Sequence, residues 1–584
     1  MKRVMLAACV AALSFVGCKK GAESGGGGTA GTGTTGSGTT GTGGTTPPAG
    51  DTAKNPAGCN SDFAEPIVAD YTLTEKCSPY VPKADVSIDG VTLTIEPGVE
   101  IKLADNTSFS VAYYKPARVL AKGTKEKPIK FTGRAWKGVR TYKDAAGSVF
   151  ENVAIENGGS EDAPAFGTDT HDVVLSAVSF SGAKKTVLDL RADRPLKGFT
   201  GVDLSKGSED NGELVHANFA TAGVFTPAGI TVPEKATLWL HGNIEGDVTL
   251  SHVGAPYRLP EDVGIDPPEG KNASLTIKEG VTIEFGENAG IAVGYYRGPA
   301  GLKIQGTKEK PVTLTRFGED RIQTPSEGLR FYAGARPPEI DFAVIEFAGK
   351  TDSAAVLQSD TRGLGKITNS VFRHLKGGGV RVDSSKDRFT AFDGNTFEDV
   401  EGAALRVPLE LAHALGTSNK FTDKARVTLF GDAKKDTTLE NVGAPYVVEG
   451  ELAVNGEESR ASTLTLNPGV AMLFNDQGKL TVSYYAPAKL VAKGTAEKPI
   501  SFGKLLTSWN GLGVFGKGGV ELENVAISGT GDDQWPIDLA AEVTGSVKKV
   551  ALKDTKKGLH VCAEKVKPEG VTADKGVKAV EKCE

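Results

Sequence analysis

Apolar and polar residues alternate in short runs along this chain, and the same runs return in three copies. Residues 119–131, V-L-A-K-G-T-K-E-K-P-I-K-F, reappear at 302–314 as L-K-I-Q-G-T-K-E-K-P-V-T-L and at 490–502 as L-V-A-K-G-T-A-E-K-P-I-S-F. Apolar side chains stand four and two positions before each Gly: Val119 and Ala121, Leu302 and Ile304, Leu490 and Ala492. Others follow each Pro at alternate positions: Ile129 and Phe131, Val312 and Leu314, Ile500 and Phe502. A period of two predicts strands with one face inward. The Gly and Pro at fixed offsets mark a turn between them.

The copies belong to longer repeats. Pro79-Tyr80, Pro256-Tyr257 and Pro445-Tyr446 open equivalent blocks, followed by L-T-I-E-P-G-V-E-I-K-L from Leu93, L-T-I-K-E-G-V-T-I-E-F from Leu275 and L-T-L-N-P-G-V-A-M-L-F from Leu464. A tyrosine pair comes next in each: Tyr113-Tyr114, Tyr295-Tyr296 and Tyr484-Tyr485. Matching positions are 177 to 183 residues apart between the first two repeats and 188 or 189 between the last two. Within each repeat, strand-like runs such as F-E-N-V-A-I-E-N-G-G from Phe150, I-D-F-A-V-I-E-F-A-G from Ile340 and L-E-N-V-A-I-S-G from Leu522 recur about every 20 to 27 residues. One strand set per turn at that spacing suits a β-solenoid. A string of antiparallel sandwiches is the rival, and it lacks the tight Asn-Gly hairpin signals it would need.

The G-T-x-E-K-P-I-x-F motif, preceded by x-P-G-V and followed by W-x-G (Trp136, Trp509) and N-V-x-I runs, resembles the right-handed parallel β-helix of the pectin-lyase-like class, and within it the non-catalytic repeats of bacterial surface lipoproteins. The likeness covers nearly all of residues 70–560. It implies an all-β solenoid of about 20 turns stacked at about 4.8 Å.

Ahead of the repeats, Lys2 and Arg3 precede an apolar run at 4–16 that is too short to span a bilayer, as in an export signal. The sequence Phe15-Val16-Gly17-Cys18 resembles a bacterial lipobox, with Phe where Leu is usual. That resemblance implies a lipidated Cys18, a membrane anchor and, with Lys19 next, an outer-membrane destination. Residues 21–50 are almost wholly Gly, Thr, Ser, Ala and Pro, a flexible tether with an r.m.s. span of about 30 Å. The expected organisation is a signal at 1–17, lipidated Cys and tether at 18–57, repeats at 58–240, 241–425 and 426–560, and a C-terminal cap at 561–584.

Solenoid ends expose core and strand edges and need covering. Beyond Cys9 and Cys18, the cysteines lie at the two ends: Cys59 and Cys77, Cys562 and Cys583. Export favours disulfides. Because the ends of a rod cannot easily meet, the expected pairs are Cys59–Cys77 and Cys562–Cys583, each stabilising by about 3 kcal/mol in the chain-entropy account. Metal ligation is the alternative, with no Cys-x-x-Cys or clustered His to support it, so no metal is expected.

Composition changes little in this picture. Glycine is abundant at 74 residues, and Met (3) and Trp (4) are scarce, which fits many turns rather than helical bundles. Removing residues 1–17 takes away Lys2 and Arg3 and no acid, leaving 65 basic and 73 acidic residues, a net of −8. With no basic stripe, nucleic acid is not an expected partner.

Enzymes of the resembled class use an Arg or Lys base beside acidic Ca²⁺ ligands, or a set of carboxylates. Neither set is legible. Asp532-Asp533 is a lone pair, Arg191-Ala-Asp193-Arg194 lacks companion acids in sequence, and His171, His216, His241, His252, His374, His413 and His560 are scattered. No catalytic residue and no cofactor is expected; Ca²⁺ is the one cofactor that the resembled class suggests, and no residue set supports it. The one repeated feature with chemistry to offer is the tyrosine pair, whose alternation on a strand would place one ring of each outside as a sugar or protein platform. The expectation is a non-enzymatic, lipid-anchored envelope protein binding polysaccharide or a protein partner along its flank. A polysaccharide lyase or hydrolase and a mechanical spacer are the alternatives.

Overall fold

The computed structural model describes residues 53–54, 59 and 67–583, apart from 209–211, 360–364, 385–389 and 423–424. The expected signal, Cys18 and nearly all of the tether lie outside the described residues. The chain is an all-β parallel solenoid of about 18 turns. Each turn adds a strand to each of three parallel ladders. In the first repeat, face one runs through Thr92–Ile95 and Arg118–Lys122, face two through Glu100–Leu103 and Ile129–Gly133, and face three through Phe109–Val111, Val139–Thr141, Phe166–Thr168 and Leu188–Leu190. The alternating apolar positions of the 119–131 motif and its two copies are all buried. Among the described residues, no helix is long and apolar enough to cross a membrane.

Faces one and two meet at a bend made by a left-handed residue. In Ser148–Glu156 this is Asn152 (φ 49°), so Val149–Glu151 pair with Leu120–Lys122 on face one while Val153–Ile155 pair with Ile129–Phe131 on face two. Asparagine tolerates this backbone region. Here its amide also donates to Gly123 O at 3.1 Å, as Asn524 does to Gly494 O at 3.0 Å. The bend residue's own carbonyl explains the motif glycine. A Cβ on Gly123, Gly306 or Gly494 would sit 2.4, 2.1 or 2.6 Å from the backbone oxygen of the bend residue one rung on. The motif threonine closes the turn, since Thr124, Thr307 and Thr495 Oγ1 each accept an amide three residues on at 3.0 Å. The Pro-Tyr landmarks are core: Tyr80, Tyr257 and Tyr446 are buried, and each phenol donates to the carbonyl six residues back. Trp136 and Trp509 are core as well, each indole N–H donating to a backbone oxygen on the following rung.

The repeats are joined by continuous ladders. Glu213–Asn218, on face three of the first repeat, pairs with Thr237–His241, which pairs with Tyr257–Leu259 on face two of the second. Leu405–Pro408, on face three of the second repeat, pairs with the first half of Val427–Ala433, which leads to Tyr446–Val448 on face two of the third. Each repeat therefore begins one face round from its predecessor. Ala53–Lys54, at the end of the expected tether, pairs with Tyr71–Thr72. At the other end, Val580–Lys582 pairs with Leu559–Val561. The structure bonds Cys59 to Cys77 and Cys562 to Cys583, with Cα atoms 5.2 and 4.9 Å apart.

The close approach at the motif glycine yields a test. Gly306→Ala drives a Cβ into Phe342 O and is expected to destabilise by about 2–3 kcal/mol, read as faster amide exchange in Ala300–Gln305 and Glu339–Asp341. Gly223→Ala, with nothing within 4 Å and a right-handed backbone, is the control and is expected to be near neutral.

Candidate functional site

The tyrosine pairs sit immediately past a left-handed residue that ends the face-three strand: Ala112 (φ 59°), Gly294 (φ 66°) and Ser483 (φ 58°). This corrects the expectation of one ring in and one out. Alternation stops at the left-handed residue, so both rings of each pair lie outside. The first rings (Tyr113, Tyr295, Tyr484) are 54–58% exposed and the second (Tyr114, Tyr296, Tyr485) 79–86%. The two rings meet edge to face at 4.5, 4.6 and 4.8 Å. A third ring from the next rung backs each first ring: Tyr142 at 4.8 Å, Tyr332 at 4.7 Å and Phe515 at 5.4 Å.

A side chain from the rung before fastens each bracket. Asp89 Oδ1 accepts the Tyr114 and Lys115 amides at 2.6 and 3.1 Å, and Asp266 Oδ1 accepts those of Tyr296 and Arg297 at 3.0 and 3.2 Å. Asn455 Oδ1 accepts the Tyr485 amide at 3.0 Å. At Asp89, partial burial pushes the carboxyl pKa up, but hydrogen bonds from the Ser87 hydroxyl and the bracket amides outweigh it and hold the group below its usual value. Sequence reasoning missed the third ring and the fastener. Their signal was an aromatic directly after the next face-three strand and an Asp or Asn 25 to 30 residues before the second tyrosine. Beside the third bracket lies a cleft of about 440 Å³, where Asp432, Glu451, Asn455 and Lys479 line a floor next to Tyr484 and Tyr485.

Two of the scattered histidines come together on face three. The ladder sets Asp189 beside His216, His216 beside Trp239 and Asn218 beside His241. His216 Nδ1 lies 3.1 Å from His241 Nε2 with the rings stacked, and Glu213 lies 3.7 Å from His216 Nε2. Burial, then the neighbouring His241, lowers the His216 pKa against the opposing pull of Glu213 and Asp189, so this imidazole is neutral at neutral pH. A cleft of about 480 Å³ opens here and shares Asn218 and His241 with a second of about 520 Å³. Asp189 is held by Arg140 and Arg191, both at 2.9 Å, and its carboxylate raises the Arg191 pKa. Asp193, an exposed carboxylate beside Arg194 and His171, belongs to the second cleft. Of Asp532 and Asp533, the latter accepts the Lys557 ammonium only through its backbone oxygen. His560, unassigned by sequence, lies against Cys562 and Cys583.

Fold and sites together define a repeat protein of the parallel β-solenoid class with aromatic brackets on its flank. No protein-family model, curated protein or solved structure matches the chain.

The fastener yields a prediction of its own. Asp89→Ala is expected to speed amide exchange at Tyr114 and Lys115 by about tenfold, the worth of a partly exposed charge-assisted hydrogen bond. Because the folded pKa of Asp89 lies below the ordinary 3.8, this protection is complete above that value and is lost as pH falls through the lower folded pKa. The Tyr485 amide, held by the non-titrating Asn455, is expected to show no such loss.

Proposed function

We propose that this protein is a non-enzymatic β-helix of the cell envelope, anchored through lipid at Cys18, that binds neutral, hydroxyl-rich polysaccharide at its three tyrosine brackets. A kinship with pectin-lyase-like surface lipoproteins and an outer-membrane location form part of the same reading. The observation that carries it is the threefold bracket: two exposed rings, a backing ring and an Asx fastener, rebuilt in every repeat. A ring held edge-on to its neighbour and braced from behind offers an apolar face that loses little conformational entropy when a sugar stacks on it. The carboxylates and amide in the third cleft are acceptors for hydroxyl groups. The net charge of −8 after removal of residues 1–17 disfavours strongly anionic polymers.

Successive brackets lie on different faces. The ladder bearing the first bracket continues into face two of the second repeat, while the second bracket stands on face three. The same step separates the second and third. Each bracket therefore takes its own stretch of polymer, and the protein bridges chains rather than lying along one.

A second reading, a hydrolase or lyase working in the lateral cleft, is favoured by the neutral His216 beside His241 and Glu213. One experiment separates the readings: affinity electrophoresis of the full chain through gels cast with neutral or acidic polysaccharides, with and without Ca²⁺. The expected result is retardation in a neutral gel with the polymer undiminished. Tyr114→Ala, Tyr296→Ala or Tyr485→Ala alone should reduce it in part, and the three together should abolish it. A cleared track that His216→Ala removes would establish the enzymatic reading. Unchanged migration in every gel would leave a protein partner or a spacer role.

A further inference from the structure

The C-terminal cap holds a cluster that capping alone does not require. Asp538, His560 and Glu581 stand in register on the strands Ile537–Leu539, Leu559–Val561 and Val580–Lys582. Cys562 and Cys583 directly follow the last two, and their amides continue the ladder, donating to Leu539 O at 2.9 Å and Val561 O at 3.3 Å. Ladder hydrogen bonds thus hold both cysteine backbones in register, in addition to the bond between their sulfurs. His560 Nδ1 lies 2.7 Å from Asp538 Oδ1. The carboxylate accepts a hydrogen bond from Nδ1–H, and in that neutral tautomer Nε2 carries the free lone pair, the arrangement that orients metal-binding imidazoles. Nε2 faces the sulfurs, 3.8 Å from Cys562 Sγ and 3.2 Å from Cys583 Sγ. Trp535 stacks on the ring at 4.5 Å and restricts its rotation. Among the described residues, no such group forms at Cys59 and Cys77.

We propose that the reduced cap is a binding site for one thiophilic cation of the zinc type, held by His560 Nε2 and the Cys562 and Cys583 thiolates. Tetrahedral zinc, with bonds of about 2.3 Å to sulfur and about 2.0–2.1 Å to nitrogen, sets nitrogen and sulfur about 3.6 Å apart. The two observed nitrogen–sulfur distances lie on either side of that value. A thiol reductant cleaves the Cys562–Cys583 bond, giving two cysteine thiols and the oxidised disulfide of the reductant. Each thiol releases its proton on binding, so one Zn²⁺ replaces two protons and the site with neutral His560 carries no net charge. Three protein ligands leave a fourth position for water or an outside donor. The end of the solenoid would then be clamped either covalently or by coordination, according to redox state.

The test uses the full chain, reduced with a phosphine and titrated anaerobically with Zn²⁺ against a chromophoric chelator. One equivalent is expected beyond that taken by Cys562→Ser/Cys583→Ser, which keeps every other thiol. His560→Gln should weaken binding at least tenfold, and Asp538→Asn ten- to a hundredfold. Co²⁺ in place of Zn²⁺ should show tetrahedral d–d bands with thiolate charge transfer. Amide exchange in Val580–Lys582 reports whether each variant keeps its cap. Equal stoichiometry in the double-serine variant, or affinity indifferent to His560→Gln in a folded cap, would overturn the proposal. The outcome is independent of whether the brackets bind sugar.

Discussion

Backbone hydrogen bonding between consecutive turns is the constraint on which everything else here depends. A turn of about 25 residues cannot bury its own apolar face, and its amides and carbonyls point along the axis, away from itself. Both needs are met only when the next turn stacks in register. Side chains that meet on the surface are therefore those one turn apart. Asp89 reaches the amide of Tyr114, Asp189 is set beside His216, and Asp538 orients His560 beside Cys583. In this fold, chemistry is assembled down a ladder, with sequence neighbours such as the paired tyrosine rings completing what adjacent turns bring together.

The brackets show how such a surface escapes the period of two. A regular strand sends every second side chain into the core, so an exposed pair of adjacent rings requires a break. The break is a single left-handed residue, alanine at 112 and serine at 483, where that backbone costs a non-glycine residue of order 1 kcal/mol. The fastening Asp or Asn offsets that cost by accepting the amides that the turn leaves unpaired. Ring, turn and fastener come from two rungs and depend on each other.

The fold was largely legible because its rules are local. Gly123, Thr124 and Pro128 describe a turn that recurs, and the alternation around them places the core correctly. The Pro-Tyr and Trp positions announced themselves as repeated landmarks, although nothing local said that each would donate a hydrogen bond inside the wall. The sites were less legible because they depend on register. His216 and His241 look scattered along the chain, and only the pairing of Glu213–Asn218 with Thr237–His241 stacks them. The tyrosine pairs were recognised from their repetition. Their common exposure was missed because the φ of Ala112 or Ser483 is not written in the identity of either residue.

The concavities have a structural origin that ties function to the repeat. An evenly stacked ladder has a flat flank, and a groove needs a place where consecutive rungs disagree. Two such disagreements fall where one repeat hands over to the next, and a third lies within the first repeat, between Ser179 and Ser181. The register slips between Glu213 and Val215 at the first junction and between Leu429 and Gly431 at the second. At the first, a helical turn, Phe219–Ala222, interrupts the run of strands. The histidine clefts open beside that junction, and the cleft of the third bracket opens beside Asp432 at the second. Stepping one face round at each junction thus does two things at once: it turns successive brackets in different directions and creates the recesses between them.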